Sequence, residues 1–298
     1  MSIFFKGILL LTALFSHHIS AQNILEYNLK IGDSMAVFQK ATQDIVQELD
    51  GTKHELKNNI EADFTLIVSQ KTDSSYIINF NFERFKMLTT SNLYGEILNI
   101  DTKSNVSKDN IQANVFLGMI GAKLKMELLK NGRVKSVSGT DKMIAKMIDK
   151  SGISDELTKQ VMMESMKREF GNKTLAQSFE QMTFIYPNRK VKTGDTWVNN
   201  YKGTLNAKNT WKLDNLTEKT LEISADSDIS LSTQEDNVSM TLTGKQYTKL
   251  TANKTSGFIK DMVVKQSAKG ISEMAQATDV IPTTITSTTT YKTIKHVQ

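Results

Sequence analysis

Through most of this chain apolar and polar positions alternate every second residue, the signature of β-strands that cover one face and leave the other in water. Leu25, Tyr27, Leu29 and Ile31 alternate, Gly32-Asp33-Ser34 turns the chain into a long segment over 35–49, and Asp50-Gly51 supplies the residue pair of a tight hairpin. Beyond it Ile60, Ala62, Phe64, Leu66 and Val68 share one face against Glu61, Asp63, Thr65 and Ile67. After the break at Asp73-Ser74-Ser75, Tyr76, Ile78, Phe80 and Phe82 resume the period. Asn131-Gly132 marks a second hairpin, between Ala122/Leu124/Met126/Leu128 and a strand over 133–138.

The period then changes. Between Thr140 and Met182 the apolar residues fall at helical spacing, in three runs: Met143, Ile144, Met147 and Ile148; Leu157, Val161, Met162, Met166 and Phe170; Leu175, Phe179 and Met182. Ser154 ahead of Asp155-Glu156 predicts one helix start, Thr174 and Gln177 have the spacing of a capping box, and Gly152 and Gly171 predict helix ends. After Pro187 alternation returns at Leu221/Ile223/Ala225 and Val238/Met240/Leu242, with further strands expected around 246–252, 257–265 and 284–295.

The pattern predicts an α+β chain of about ten to twelve strands and three or four helices: a curved antiparallel sheet, half-barrel-like, covered by a mid-chain helical insertion. It divides into a leader at 1–21 and one domain over 22–298, with N-terminal strands to 138, the insertion over 139–183 and C-terminal strands from 184. Two echoes suggest a duplicated sheet. Lys30-Ile31-Gly32-Asp33-Ser34-Met35 returns as Lys192-Thr193-Gly194-Asp195-Thr196-Trp197, and Gly132-Arg133-Val134 as Gly257-Phe258-Ile259. The offsets differ, so residues 83–120 would hold the extra length.

The leader carries Lys6, an apolar run from Gly7 to Phe15 and a small-residue end at Ser20-Ala21, the layout of a secretory signal peptide. The run is too short to span a bilayer, and no cysteine follows it to take a lipid anchor. The expectation is a periplasmic or secreted protein with no transmembrane segment.

Composition removes several chemistries. The 298 residues contain no cysteine, so disulfides, thiolate nucleophiles and thiolate metal sites are absent. Four histidines leave only His54 and His296 outside the leader, one near a hairpin tip and one near the chain end, where a solvated ring is expected. No zinc-hydrolase, nucleophile-elbow, phosphate-loop or dinucleotide motif occurs. A formal charge of +5 with interspersed signs gives no nucleic-acid footprint. Acid-pair glycoside hydrolysis lacks any marked pair beside Trp197 or Trp211. Asp226, Asp228, Glu235 and Asp236 lack the spacing of a calcium loop and read as a solvated hairpin face. The expectation is a non-enzymatic protein with no cofactor and no metal.

Methionine points elsewhere. Six of the 14 lie in the insertion, and flexible thioethers can repack around apolar guests, although the same stripe also suits helices packed on a sheet. If Phe64, Leu66, Tyr76, Ile78, Phe80 and Phe82 face Met143, Met147, Met162 and Met166, together they line an apolar groove for a hydrophobic small molecule, a lipid or a lipoprotein. The alternative is a cell-envelope structural or protein-interaction module whose groove is closed by its own core.

The Leu128–Gly139 strand-turn-strand (Leu-Leu-Lys-Asn-Gly-Arg-Val-Lys-Ser-Val-Ser-Gly), the amphipathic segment after it and Val191-Lys192-Thr193-Gly194-Asp195-Thr196-Trp197 resemble an uncharacterised family of exported Bacteroidota proteins. The resemblance covers most of the chain after the leader and rests on turn chemistry. More remotely, the layout is similar to the half-barrel of periplasmic lipoprotein carriers, which implies a curved sheet holding acyl chains beneath helices. No catalytic residue carries over.

Overall fold

Two copies of one turn launch the two halves of the sheet. In the computed structural model Lys30 N donates to Asp33 Oδ2 at 2.8 Å and Asp33 N to Lys30 O at 3.1 Å. Lys192 and Asp195 repeat both bonds at 3.1 and 3.0 Å. Each turn leads into a five-strand antiparallel meander, and the echo of sequence is thus an echo of structure. The structure describes residues 23–49, 51–104, 107, 110–235, 238–274 and 280–297. The expected leader lies outside them, as do Asp50 and Asp236 and the side chains of Glu235 and His296.

In chain order the elements are β1 (Asn23–Ile24), β2 (Ser34–Leu49), β3 (Thr52–Lys71), β4 (Ser75–Ser91), β5 (Gly95–Asp101), α1 (Ile111–Leu117), β6 (Leu124–Leu129), β7 (Val134–Ser138), α2 (Thr140–Ser151), α3 (Glu156–Phe170) and α4 (Asn172–Thr183). They continue as β8 (Lys190–Val191), β9 (Thr196–Tyr201), β10 (Leu205–Leu216), β11 (Thr220–Glu235), β12 (Val238–Asn253), β13 (Ile259–Met274) and β14 (Val280–Val297). Twelve strands form one antiparallel sheet in the order β7-β6-β4-β3-β2-β14-β13-β12-β11-β10-β9, with β5 beside the second half of β4. The first meander is β2-β3-β4-β6-β7 and the second β9-β10-β11-β12-β13, with β14 joining them; β5 and α1 are the extra length between β4 and β6.

The sheet curves without closing into a barrel, because its edge strands β7 and β9 do not pair. Gly244 and Gly270 mark a crease on adjacent strands: a Cβ at either would come within about 2 Å of a carbonyl oxygen across the ladder, Ser267 O at 2.0 Å and Thr241 O at 2.1 Å. The end of α4 and the residues after it stand in the gap between the edges. Toward one edge, Glu180 Oε1 accepts from Val134 N at 3.1 Å and Thr183 Oγ1 donates to Gly132 O at 2.7 Å. Toward the other, Trp197 Nε1 donates to Ile185 O at 2.9 Å and Asn199 Nδ2 to Phe184 O at 2.6 Å.

Four expectations need correction. Residues 25–31 are not a strand beyond β1, because their amides go to separate partners, Tyr27 N to Lys130 O and Asn28 N to Ser256 O, so no ladder forms while Leu25, Tyr27 and Leu29 are still buried. Among the described residues fourteen strands form rather than ten to twelve, since β1, β5 and β8 are short or interrupt a loop. The cap of α3 is Asp155, whose carboxylate accepts from Thr158 N at 2.8 Å, rather than Ser154. Helix α4 begins two residues before Thr174, whose hydroxyl instead reaches back to Arg168 O at 2.7 Å and ties the helix to α3.

Candidate functional site

Antiparallel register fixes which side chains share a face, so the concave side can be followed strand by strand. From Leu205–Leu213 of β10, through Leu221–Leu231, Met240–Ala252, Met262–Ser272, Ile281–Tyr291 and Met35–Gln47, to Leu56–Val68 of β3 and Tyr76–Thr89 of β4, no inward position is Asp, Glu, Lys or Arg. The charges lie on the convex side, as with Lys57 facing Asp44 at 3.5 Å and Arg84 joining Glu61 and Asp101 at 3.4 and 2.8 Å.

The concave face is not uniformly apolar. Asn199, Asn209, Ser227, Gln246, Gln266, Ser287, Gln43, Asn58 and Thr89 stand opposite one another in unbroken register from β9 to β4. This belt is bonded in three stretches. Asn209 Nδ2 and Trp211 Nε1 both donate to Asn199 Oδ1 at 2.9 Å, and Ser227 Oγ donates to Asn209 Oδ1 at 2.6 Å. Gln266 Nε2 donates to Gln246 Oε1 at 2.6 Å and Ser287 Oγ to Gln266 Oε1 at 2.9 Å. Asn58 Nδ2 donates to Gln43 Oε1 at 2.9 Å, and Thr89 Oγ1 to Asn58 Oδ1 at 2.8 Å. Inward hydrophobic residues flank the belt on both sides, Ala41 and Ile45 around Gln43, Val264 and Ala268 around Gln266.

Depth changes along the belt. Asn199, Asn209, Ser227 and Gln246 are buried, whereas Gln266, Ser287, Gln43, Asn58 and Thr89 are partly exposed, together with their inward neighbours Ala41, Ile45, Ile60, Phe85 and Met87. The bowl is therefore filled toward β9 and open over β2–β4, while on β13 and β14 Gln266 and Ser287 are partly exposed between buried Val264, Ala268 and Ile285. Helix α3 packs against α2 and α4 and has no buried residue; its Met162, Met166 and Phe170 rest on the edge of the core, while Leu157 is 70% and Val161 63% exposed. Phe170 meets Phe116 of α1 with centroids 6.2 Å apart, and Phe116 stacks on Phe85 at 4.8 Å.

All ten residues singled out for a groove fall in one hydrophobic cluster. Phe64, Leu66, Tyr76, Ile78, Phe80, Met143 and Met147 are buried in it, and Phe82, Met162 and Met166 are partly exposed at its rim. Phe179 of α4 closes over Phe64 and Phe80, at 6.0 and 4.8 Å between ring centroids, and the Tyr76 hydroxyl donates to Tyr27 O at 2.9 Å. Burial raises the phenols of Tyr27, Tyr186 and Tyr201 around this packed end, so they stay neutral hydrogen-bond donors. The belt was missed. Its signal is an amide or hydroxyl among inward apolar positions, shared with Gln39, Gln47, Thr248 and Ser272 on the same face.

His54 is not a free solvated ring: Nε2 lies 3.0 Å from Ser91 Oγ and its edge meets Tyr94. Trp197 and Trp211 are enclosed by the core. Asp228 pairs with Lys245, and among the described residues no group of three or more His, Asp or Glu is placed to hold a metal ion. A cleft of about 750 Å³ outside the bowl mixes Lys130, Arg133, Arg189 and Lys190 with Glu26 and Asp73. Lys130 faces Glu26 at 3.9 Å there, and Arg189 faces Asp195 at 3.8 Å. No helix among the described residues is long and apolar enough to cross a membrane.

A model for a family of unknown function, DUF6263, matches residues 73–259, more than half of the chain. No curated protein matches. Among solved structures, one reported for lipid–protein interactions in lipovitellin is similar over 91% of this chain at 7% identity and a TM-score of 0.53, a likeness of fold; this chain spans 26% of it. The translocator domain of the autotransporter NalP from Neisseria meningitidis aligns over 90% of each chain at 9% identity, with a TM-score of 0.23.

Proposed function

Since this chain belongs to DUF6263, a family of unknown function, its role has to be read from its own surfaces, and we propose that it binds an apolar ligand in the open part of the bowl. The observation that carries this reading is the uncharged inner face, partly exposed over β2–β4 and bordered at β4 by the Phe85–Phe116–Phe170 contact with α3. An apolar surface left in contact with water forgoes about 25 cal/mol per Å², and a guest chain recovers that loss. The fold shared with lipovitellin supports a lipid or lipid-bearing molecule as the guest. The leader-like sequence at 1–21 supports an exported, periplasmic or secreted protein.

The full chain, expressed with its leader and purified without detergent, should retain an acyl-containing species in native mass spectrometry and bind the neutral probe N-phenyl-1-naphthylamine with enhanced fluorescence. Met166→Asp should reduce probe binding tenfold or more without unfolding the protein. The seven buried groove residues favour a second reading, a closed-core module of the cell envelope that acts through its surface. Empty spectra and no probe binding would decide for that reading.

A further inference from the structure

The belt has two steps where opposed residues do not bond, and one of them is open to solvent. Ser287 and Gln43 are direct register partners across β14 and β2, yet Ser287 turns its hydroxyl to Gln266 and Gln43 accepts from Asn58. The Nε2 group of Gln43 donates to no protein atom among the described residues, and Gln43 is only partly buried. A donor is therefore presented at mid-depth in the bowl, with Ala41 and Ile45 on either side and no Asp, Glu, Lys or Arg at the inward positions followed from β10 to β4.

We propose, building on the binding reading above, that this step receives the uncharged carbonyl of an acyl ester or acyl amide. A carbonyl oxygen accepts the Gln43 amide without needing a counter-charge, while the apolar strips flanking the belt take the hydrocarbon on one or both sides. An ionised carboxylate or phosphate placed at the same point finds no Lys or Arg on any strand facing it, so its desolvation goes uncompensated. The bowl thus discriminates by the charge of the polar group rather than by chain length.

The experiment is displacement of bound N-phenyl-1-naphthylamine by three ligands of equal chain length at pH 8: monolauroylglycerol, lauramide and laurate. The two neutral ligands should displace the probe at concentrations at least tenfold below laurate. Gln43→Leu and, independently, Gln43→Met should each shrink that advantage, read as the ratio of displacing concentrations within the same variant. Laurate displacing as well as the neutral pair, or an advantage untouched by both substitutions, would overturn the inference and leave the binding reading intact. Failure of the probe to bind the wild-type protein would remove the binding reading, and this inference with it.

Discussion

Asn199 Oδ1 accepts two hydrogen bonds at 2.9 Å, one from the indole of Trp211 and one from the amide of Asn209. All three residues are buried, so the oxygen is the sole protein acceptor holding two donors that water does not reach easily. Asn199→Leu should orphan both and lower unfolding free energy by about 2–6 kcal/mol, since each stranded donor costs about 1–3 kcal/mol. Thr89→Val, at the exposed end of the same belt, should cost less than about 1 kcal/mol. Urea titration of both variants checks the gradient; equal losses would mean that depth along the belt does not matter.

Phe179 couples the helical cover to the sheet. Its ring meets those of Phe80 and Phe64 edge-on, and it belongs to the continuous core. Truncation to Ala should cost about 3–5 kcal/mol. Leu157→Ala, on the exposed face of α3, should be close to neutral. Thermal unfolding followed by circular dichroism would separate the two; a small loss at Phe179 would mean that α4 contributes little to holding the gap between β7 and β9.

What sequence alone could and could not disclose follows from the periods involved. Unbroken alternation at 60–68 and 76–82 located two inner strands, because one apolar side chain every second residue has no other use there. Alternation gives the face and not the depth, which is why Phe64, Leu66 and Phe80 lie in the packed end instead of the open one. β14 was harder: Thr284, Thr286, Thr288 and Thr290 fill one side, and on the other Ile281, Ile285 and Tyr291 are interleaved with Thr283, Ser287 and Thr289, so apolar parity marks the inward side only weakly. The belt needed register across nine strands, and each of its residues looks locally like one more polar residue on an inner face that also carries Gln39, Gln47, Thr248 and Thr289. Repeated turn chemistry at Gly32-Asp33 and Gly194-Asp195 was legible because a side-chain-closed turn is a local object.

Gly132 holds the first meander against α4. Its φ is +92°, and a Cβ there would sit 1.7 Å from Thr183 O, inside the contact that bridges the gap. Gly51 has φ +73° with open space around it. Gly51→Ala should cost only the left-handed backbone penalty, about 1–2 kcal/mol. Gly132→Ala must also displace Thr183, and should cost at least twice as much and raise the proteolytic sensitivity of residues 184–191. Matching stabilities for the two variants would show that the Thr183 contact yields freely.

Glu180 gives the gap a pH dependence. Desolvation raises its carboxyl above the usual range, only partly opposed by the bond from Val134 N at 3.1 Å and by Arg133 at 3.7 Å. A folded-state value above the unfolded one means that the native protein holds the proton longer, so stability is full below the ordinary glutamate range and falls as pH rises through the raised value. Glu180→Gln keeps an oxygen for Val134 and removes the ionisation. Relative to wild type it should gain stability as pH is raised from 4 to 8, with the difference smallest at the acidic end. Urea unfolding at intervals across that range reads the slope directly. A constant offset between the two proteins, or a wild type that gains on the variant as pH rises, would show that the pairing with Arg133 outweighs the burial.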